Sequence, residues 1–245
     1  MEFVAKTDVG QKRTNNEDAY FAKIYDKDMA LFIVADGLGG YKSGEVASQM
    51  IVELVSKYFE ENFNILRSLS VSKIKTMLEG AICISSKKIY ELEKTDEKYK
   101  GMGTTIVAVF KINNFLYYLS VGDSRIYHID TNIVLIEQIT QDDTYVNELV
   151  RTKIIDLSQV DAHPQKHVLT KALGVFSDIK VNLNILDKYT GYLLLCSDGV
   201  TNSLKDNEII NIFKKNKFEN IAQKIVIKAN DNGGTDNITA LIVKL

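Results

Sequence analysis

Apolar residues recur along this chain in two rhythms, one of strands and one of helices. EFVAKTDVG, AYFAKIYD and MALFIVAD read as three strands, parted by the turn-rich QKRTNNED and by a charged tip at Lys27-Asp28. Val46, Met50, Leu54 and Tyr58, with Ala47, Ile51, Val55 and Phe59, then fall at helical spacing. A second helix is expected over about Ser72 to Glu93, where Ile74, Leu78, Ala81, Ile82, Ile89 and Leu92 share a face and the polar KTDEKYKGMG ends it. TTIVAVFKI, FLYYLSV, SRIYHI and IVLIEQIT follow, joined only by Asn113-Asn114, Gly122-Asp123 and Asp130-Thr131-Asn132. Connections this short make antiparallel sheet rather than βαβ units. After a helical and loop insert from Gln141 to Gly174 come strands VNLNIL and YLLLCS, helices near Asp206 to Lys214 and Asn220 to Ala229, and a last strand, NITALIVKL. The pattern predicts an α+β fold, a four-layer αββα sandwich of two antiparallel sheets packed face to face and flanked by helix pairs. No internal repeat is evident.

Composition narrows what such a sandwich can do. With 245 residues, 45% hydrophobic, and no Pro- or Ser-rich linker, the chain is expected to form one domain over 1–245. Lys+Arg 30 against Asp+Glu 32 leaves a net charge of -2, so the basic field that nucleic acid requires is missing. Glu2, Lys6 and Asp8 interrupt the first ten residues where a secretory signal needs an apolar stretch, and runs such as Met29 to Ala35 are too short to span a bilayer. A cytoplasmic protein without a membrane partner is expected. Cys83 and Cys196, each among apolar neighbours, are expected to be buried thiols rather than a disulfide.

The segment ALFIVADGLGGYKSGEVAS raises a chemical question at Asp36. Asp-Gly is a strong hairpin signal, but a hairpin needs a second strand at once, and here glycines and then a helix follow. A carboxylate therefore stands at the end of a buried strand. Asp198 after YLLLCS, Asp123 after YYLSVG and Asp236 before NITALIV occupy the same kind of position. Each alone fits a turn or cap. If the four strand ends converge, carboxylates that close must protonate or bind cations, and an all-oxygen site points to Mg²⁺ or Mn²⁺ rather than zinc. His128, His163 and His167 show no zinc-ligand spacing; His128 is expected to face solvent or core, and His163 to be a structural anchor.

TDVGQKRTNNEDAYF, VADGLGGYKSGEVAS, GMGTT, VGDSRIY, DAHPQKHVLTKALG, LLCSDGV and GGTDNITALIV resemble, in order and spacing, the metal-dependent protein phosphatase family, type 2C, in its compact bacterial form. The resemblance implies a protein serine/threonine phosphatase with the same sandwich fold, using Mn²⁺ or Mg²⁺: two ions and a third, weaker one. It implies that Asp36 bridges two ions, that the Gly37 carbonyl binds one, that Asp198 and Asp236 complete the other's shell, and that Asp123 with Asp198 holds the third. The catalytic set is then Asp36, Asp198 and Asp236, with a metal-bridging hydroxide as nucleophile. Arg13 is implied to bind the substrate phosphate, and Glu17, Asp18 and Asn237 to support the metal shell. Phosphorylated proteins, among them a Ser/Thr kinase and its targets, are the implied partners of a monomeric enzyme.

The chain departs from the family at two places. Leu38 stands where animal members carry a histidine acid, which leaves the leaving-group acid unassigned. Asp142-Asp143-Thr144 replaces an Asp-His-Ser run in a flap-like insert at about 142–174, and is expected to add negative charge where substrate docks.

Other phosphoryl chemistries fit the letters less well. A P-loop needs Gly-Lys-Ser/Thr in series, but Tyr41 precedes Lys42; neither cysteine is followed by the arginine of a cysteine phosphatase loop; an aspartyl-phosphate site at Asp26 would fall between two hairpin strands. A catalytically inactive phosphoprotein-binding member is the alternative from another class.

Overall fold

A computed structural model describes residues 1–39, 43–160, 162–187 and 190–245. Residues 40–42, on which the P-loop comparison turns, lie outside the described residues. One sheet has strand order β1 (Glu2–Asp8), β11 (Ile238–Lys244), β10 (Tyr192–Cys196), β7 (Arg125–Asp130) and β8 (Leu135–Gln138). The other runs β2 (Asp18–Ile24), β3 (Met29–Leu38), β5 (Ile106–Ile112), β6 (Phe115–Val121) and β9 (Asn184–Leu186), with the short β4 (Gly103–Thr104) paired to β3. All pairings are antiparallel.

The two-residue period of the strands sorts side chains into layers. In β3, Met29, Leu31, Ile33 and Ala35 pack with α1 (Ser43–Glu61) and α3 (Val71–Glu93), whereas Ala30, Phe32 and Val34 enter the space between the sheets. In the facing sheet Leu193, Leu195, Leu241 and Val243 fill that same space, while Leu194, Cys196, Ala240 and Ile242 meet α6 (Asp206–Lys215) and α7 (Ile221–Asp231). The expected four-layer αββα sandwich is the observed one. Both faces of the central strands are covered, which is why their sequences are continuous apolar runs rather than alternating ones.

Differences from the expected elements have local causes. VNLNIL contributes only Asn184–Leu186 to the sheet, because the Leu183 N–H donates to the Glu79 carboxylate at 2.8 Å instead of to a strand. IVLIEQIT starts its strand at Leu135, since Val134 turns with φ 56° at the hairpin tip. The helical part of the insert is α4 (Tyr145–Arg151), and two further short helices depart from the expected pattern, α2 (Phe63–Ser68) and α5 (Asp198–Ser203). No helix among the described residues is long and apolar enough to cross a membrane. Cys196 is buried and Cys83 half-buried, both free. His128 belongs to the core, its Nε2 2.8 Å from the Thr190 carbonyl.

Candidate active site

Asp36 is not at the end of its strand, as the glycine-rich loop suggested, but at a change of partner within it. β3 pairs with β5 as far as Val34↔Val107 and with β4 at Gly37↔Thr104. The intervening backbone of Asp36 is held by the two threonines of GMGTT: the Thr105 hydroxyl accepts its N–H at 2.9 Å, and its carbonyl accepts from Thr105 N–H at 2.8 Å and the Thr104 hydroxyl at 2.9 Å. Gly37 is required here by close packing of backbone. A Cβ at that position would lie 2.1 Å from the Gly44 carbonyl oxygen and 2.7 Å from that of Glu17, so strand and helix α1 meet backbone to backbone.

Register carries Asp18 opposite Asp36 on β2. Asp123 lies in the β6–β7 turn, Asp198 opens α5 after β10, and Asp236 precedes β11. Asp36, Asp123, Asp198 and Asp236 line one cavity of about 570 Å³, together with Arg13, Glu17, Gly37, Leu38 and Asn237. Asp18 is absent from that wall and buried behind it; one of its carboxylate oxygens accepts from the Ser197 hydroxyl at 2.7 Å and the Thr239 hydroxyl at 2.6 Å, and the other has no partner. Asn237 spends its side chain on backbone: Oδ1 accepts from Glu17 N–H at 2.8 Å, and Nδ2 donates to the Val9 and Asn15 carbonyls at 2.9 Å each. It knots the start of β11 to the loop that carries Arg13.

The carboxylates strain one another electrostatically. Burial, then the charges of Asp18, Asp198, Asp123 and Asp236, push Asp36 well above the usual carboxylate range. Burial pushes Asp123 up to about 7, with Asp198 and Asp142 adding to it, and pushes Asp18 up to about 7 against the two hydroxyl bonds. Asp198 is raised by burial and by Asp236, and opposed by hydrogen bonds from Asn202 and Asp36. One Asp198 oxygen is buried without a partner. Oxygen-only donors, orphaned buried carboxylate atoms and surplus negative charge together fit hard divalent cations. As the side chains stand, no three Asp, Glu, His or Cys among the described residues converge closely enough to hold a metal ion. Asp236 is drawn 2.8 Å from Arg13, and Asp198 accepts from Asn202 at 2.9 Å. Arg13, expected as a phosphate ligand, thus supplies a positive charge to an acid of the cluster.

These shifts set the sign of a pH effect. A carboxyl whose folded pKa of about 7 exceeds its ordinary value binds more protons folded than unfolded between the two. The metal-free protein is therefore expected to lose stability as pH rises from about 4 to about 7, and divalent cations to restore it. Melting temperatures in EDTA and in Mn²⁺ across that range check this; a rising EDTA curve would contradict it.

The Asp142-Asp143 pair is tied into the fold by hydrogen bonds. Asp142 is clasped by Arg125, with Nε at 3.0 Å from both oxygens and Nη2 at 2.7 Å, and takes a further bond from Gln138 at 2.8 Å. Asp143 accepts from the Gly122 N–H at 3.2 Å, and its own N–H donates to the Gly122 carbonyl at 2.8 Å. Both acids brace the turn that presents Asp123, and both line a cavity beside it. His163 anchors its segment as expected, its Nδ1 accepting the Gln165 N–H at 3.1 Å. Lys166, His167 and Asn202 also line the cavity, and sequence reasoning missed all three. Asn202 was visible as the i+4 neighbour of Asp198; His167 was weighed only as a zinc ligand.

A doubly layered antiparallel sandwich with acids crowded at one end of its strands defines a metal-dependent phosphohydrolase. A family model described as Protein phosphatase 2C matches residues 9–239. The chain is 36% identical over 241 residues to the serine/threonine phosphatase stp of Listeria welshimeri, covering 98% of this chain and 94% of that protein. It superposes with a TM-score of 0.89 at 34% identity on the crystal structure of serine/threonine phosphatase Stp1 from Staphylococcus aureus, covering 100% and 94% of the two chains. A third match, 28% identical with a TM-score of 0.82 and covering 99% and 97%, is the catalytic domain of the serine threonine protein phosphatase PstP in complex with 2 manganese ions. The chain belongs to the protein phosphatase 2C family, and it is a metal-dependent serine/threonine phosphatase of the bacterial form.

Proposed function

We propose that the chain removes phosphate from phosphoserine and phosphothreonine in proteins, with two Mn²⁺ or Mg²⁺ ions held by Asp36, the Gly37 carbonyl, Asp198 and Asp236, and a third by Asp123 with Asp198. The single observation that carries this reading is the convergence of four half-buried aspartates on one open cavity, with a buried Asp198 oxygen lacking any partner. When bound, the ions supply a water acidic enough to be deprotonated near neutral pH and a positive field for the phosphoryl oxygens. Asp36, fixed by Thr104 and Thr105, keeps its carboxylate aimed into the cavity. Arg13 swings between Asp236 and the substrate phosphate, where its forked guanidinium takes two oxygens. Glu17, from the wall, and Asp18, from behind, tune the charge of the cluster.

The chain works as one monomeric catalytic domain, with 142–174 as a flap whose base is pinned at Gly122. Its substrates include a Ser/Thr kinase and that kinase's targets, met in the cytoplasm. The deciding experiment is hydrolysis of a phosphothreonine peptide with Mn²⁺ and after chelation. Activity with Mn²⁺ and a loss of about 10²-fold or more in excess EDTA is expected; full activity in EDTA would overturn the metal role, and no activity in either would favour an inactive binding member.

A further inference from the structure

We propose that His167 is the general acid that protonates the departing serine or threonine oxygen, an inference that rests on the phosphatase reading above. An aliphatic alkoxide is too basic to depart unprotonated near neutral pH, so hydrolysis of these esters gains from a placed proton donor. Leu38, beside the Asp36-Gly37 pair, carries no proton to give. The carboxyls of Asp36, Asp123, Asp198 and Asp236 form the cation-binding wall, Glu17 belongs to that same wall between Arg13 and Gly44, and a guanidinium such as Arg13 does not release its proton in proteins. Outside this acidic wall the cavity is lined by Lys166 and His167, both from the turn that follows Pro164. An ammonium holds its proton too tightly for the task, whereas an imidazole exchanges one near working pH.

The three histidines of the chain have different employments. His128 is bound to the Thr190 carbonyl in the core, and His163 closes its own turn. His167 is exposed towards the cavity, and among the described residues neither of its ring nitrogens is held by a hydrogen bond. It also lines a smaller adjoining cavity of about 160 Å³, whose walls again include Asp123 and Asp198. The ring is presented from a braced segment: Lys166 N–H donates to the His163 carbonyl at 3.2 Å, Val168 N–H to Gln165 at 3.1 Å, and Tyr145 N–H to Val168 at 2.8 Å. A Thr144↔Leu169 bridge ties that segment to the start of α4. The acid thus arrives from the flap segment, into the same cavity as the aspartates that would hold the cations.

In the step itself, the water oxygen adds to phosphorus and the bond from phosphorus to the side-chain oxygen breaks, its electron pair staying on that oxygen. The imidazolium N–H proton passes to it, giving the free hydroxyl, inorganic phosphate and neutral imidazole. The ring is reprotonated from solvent, into which the attacking water has released its own proton.

The test compares wild type, His167→Asn and His167→Gln, in Mn²⁺, on a phosphothreonine peptide and on p-nitrophenyl phosphate, whose phenolate departs without a proton. Both variants are expected to lose about 10²-fold in kcat on the peptide and less than about threefold on p-nitrophenyl phosphate. Equal losses on the two substrates, or an unchanged kcat on the peptide, would overturn the acid role while leaving the phosphatase reading intact. A wild-type protein that hydrolyses neither substrate would overturn that reading and the acid role with it.

Discussion

Asp36→Asn is expected to lower kcat by about 10²–10³-fold in saturating Mn²⁺ while making the metal-free protein more resistant to heat. The two effects have one cause. The side chain is nearly isosteric, and the bonds that fix residue 36 run from its backbone to Thr104 and Thr105, so the substitution leaves the fold in place. What it removes is the carboxylate whose pKa is raised by burial and by every other acid of the cluster. Without cations that charge is a burden on the folded state, and its loss stabilises; with cations it would be a ligand on the reading proposed above, and its loss would remove several kcal/mol of transition-state stabilisation. Turnover and the melting temperature in EDTA at about pH 8 report the two halves separately. Near-wild-type turnover would rule out a bridging role, and a lower melting temperature would mean that residue 36 is held by its side chain.

A second large effect is expected at Gly37, in stability rather than in chemistry. In Gly37→Ala the new methyl carbon would stand 2.1 Å from the Gly44 carbonyl oxygen, and both neighbours within 3 Å are backbone, so no side-chain rotation relieves the clash. Helix α1 or the β2 entry must move, at a cost beyond the roughly 1–3 kcal/mol usual for overpacking. For a chain of this size that lowers Tm by more than about 5 °C. Gly80→Ala is the matched control: it lies within α3, a Cβ there meets nothing within 4 Å, and it should gain about 0.5–1 kcal/mol from helix propensity. Equal melting temperatures for the two variants would refute the crowding argument.

The sandwich was legible because the buried strands carry their own signature. Met29 to Ala35 admits no polar residue, and both faces of β3 are covered. The helices on either outer face declare themselves by spacing, and the four aspartates by recurring beside strand ends. What could not be read depends on contacts distant in sequence. The pairing of Asp18 with Asp36 follows from register, and the change of partner along β3 depends on a two-residue strand too short to show a period. Asp142 looked like free charge because Arg125, its partner, lies in β7, and Asp143 because its partner is the backbone of Gly122. His167 carries no local signal at all; only the folding of its turn over the strand ends shows where it points.

The order in which the chain is synthesised gives the position of β11 a further meaning. This strand follows all the others in sequence yet lies inside its sheet, between β1 and β10. A growing chain that has delivered everything through α7 holds two strands with a gap between them, and it still lacks Asp236 and the Asn237 knot that fastens the Arg13 loop. The sheet closes only when residues 236 to 244 are in place, so a chain cut before Asp236 is expected to lack both the joined sheet and the finished site.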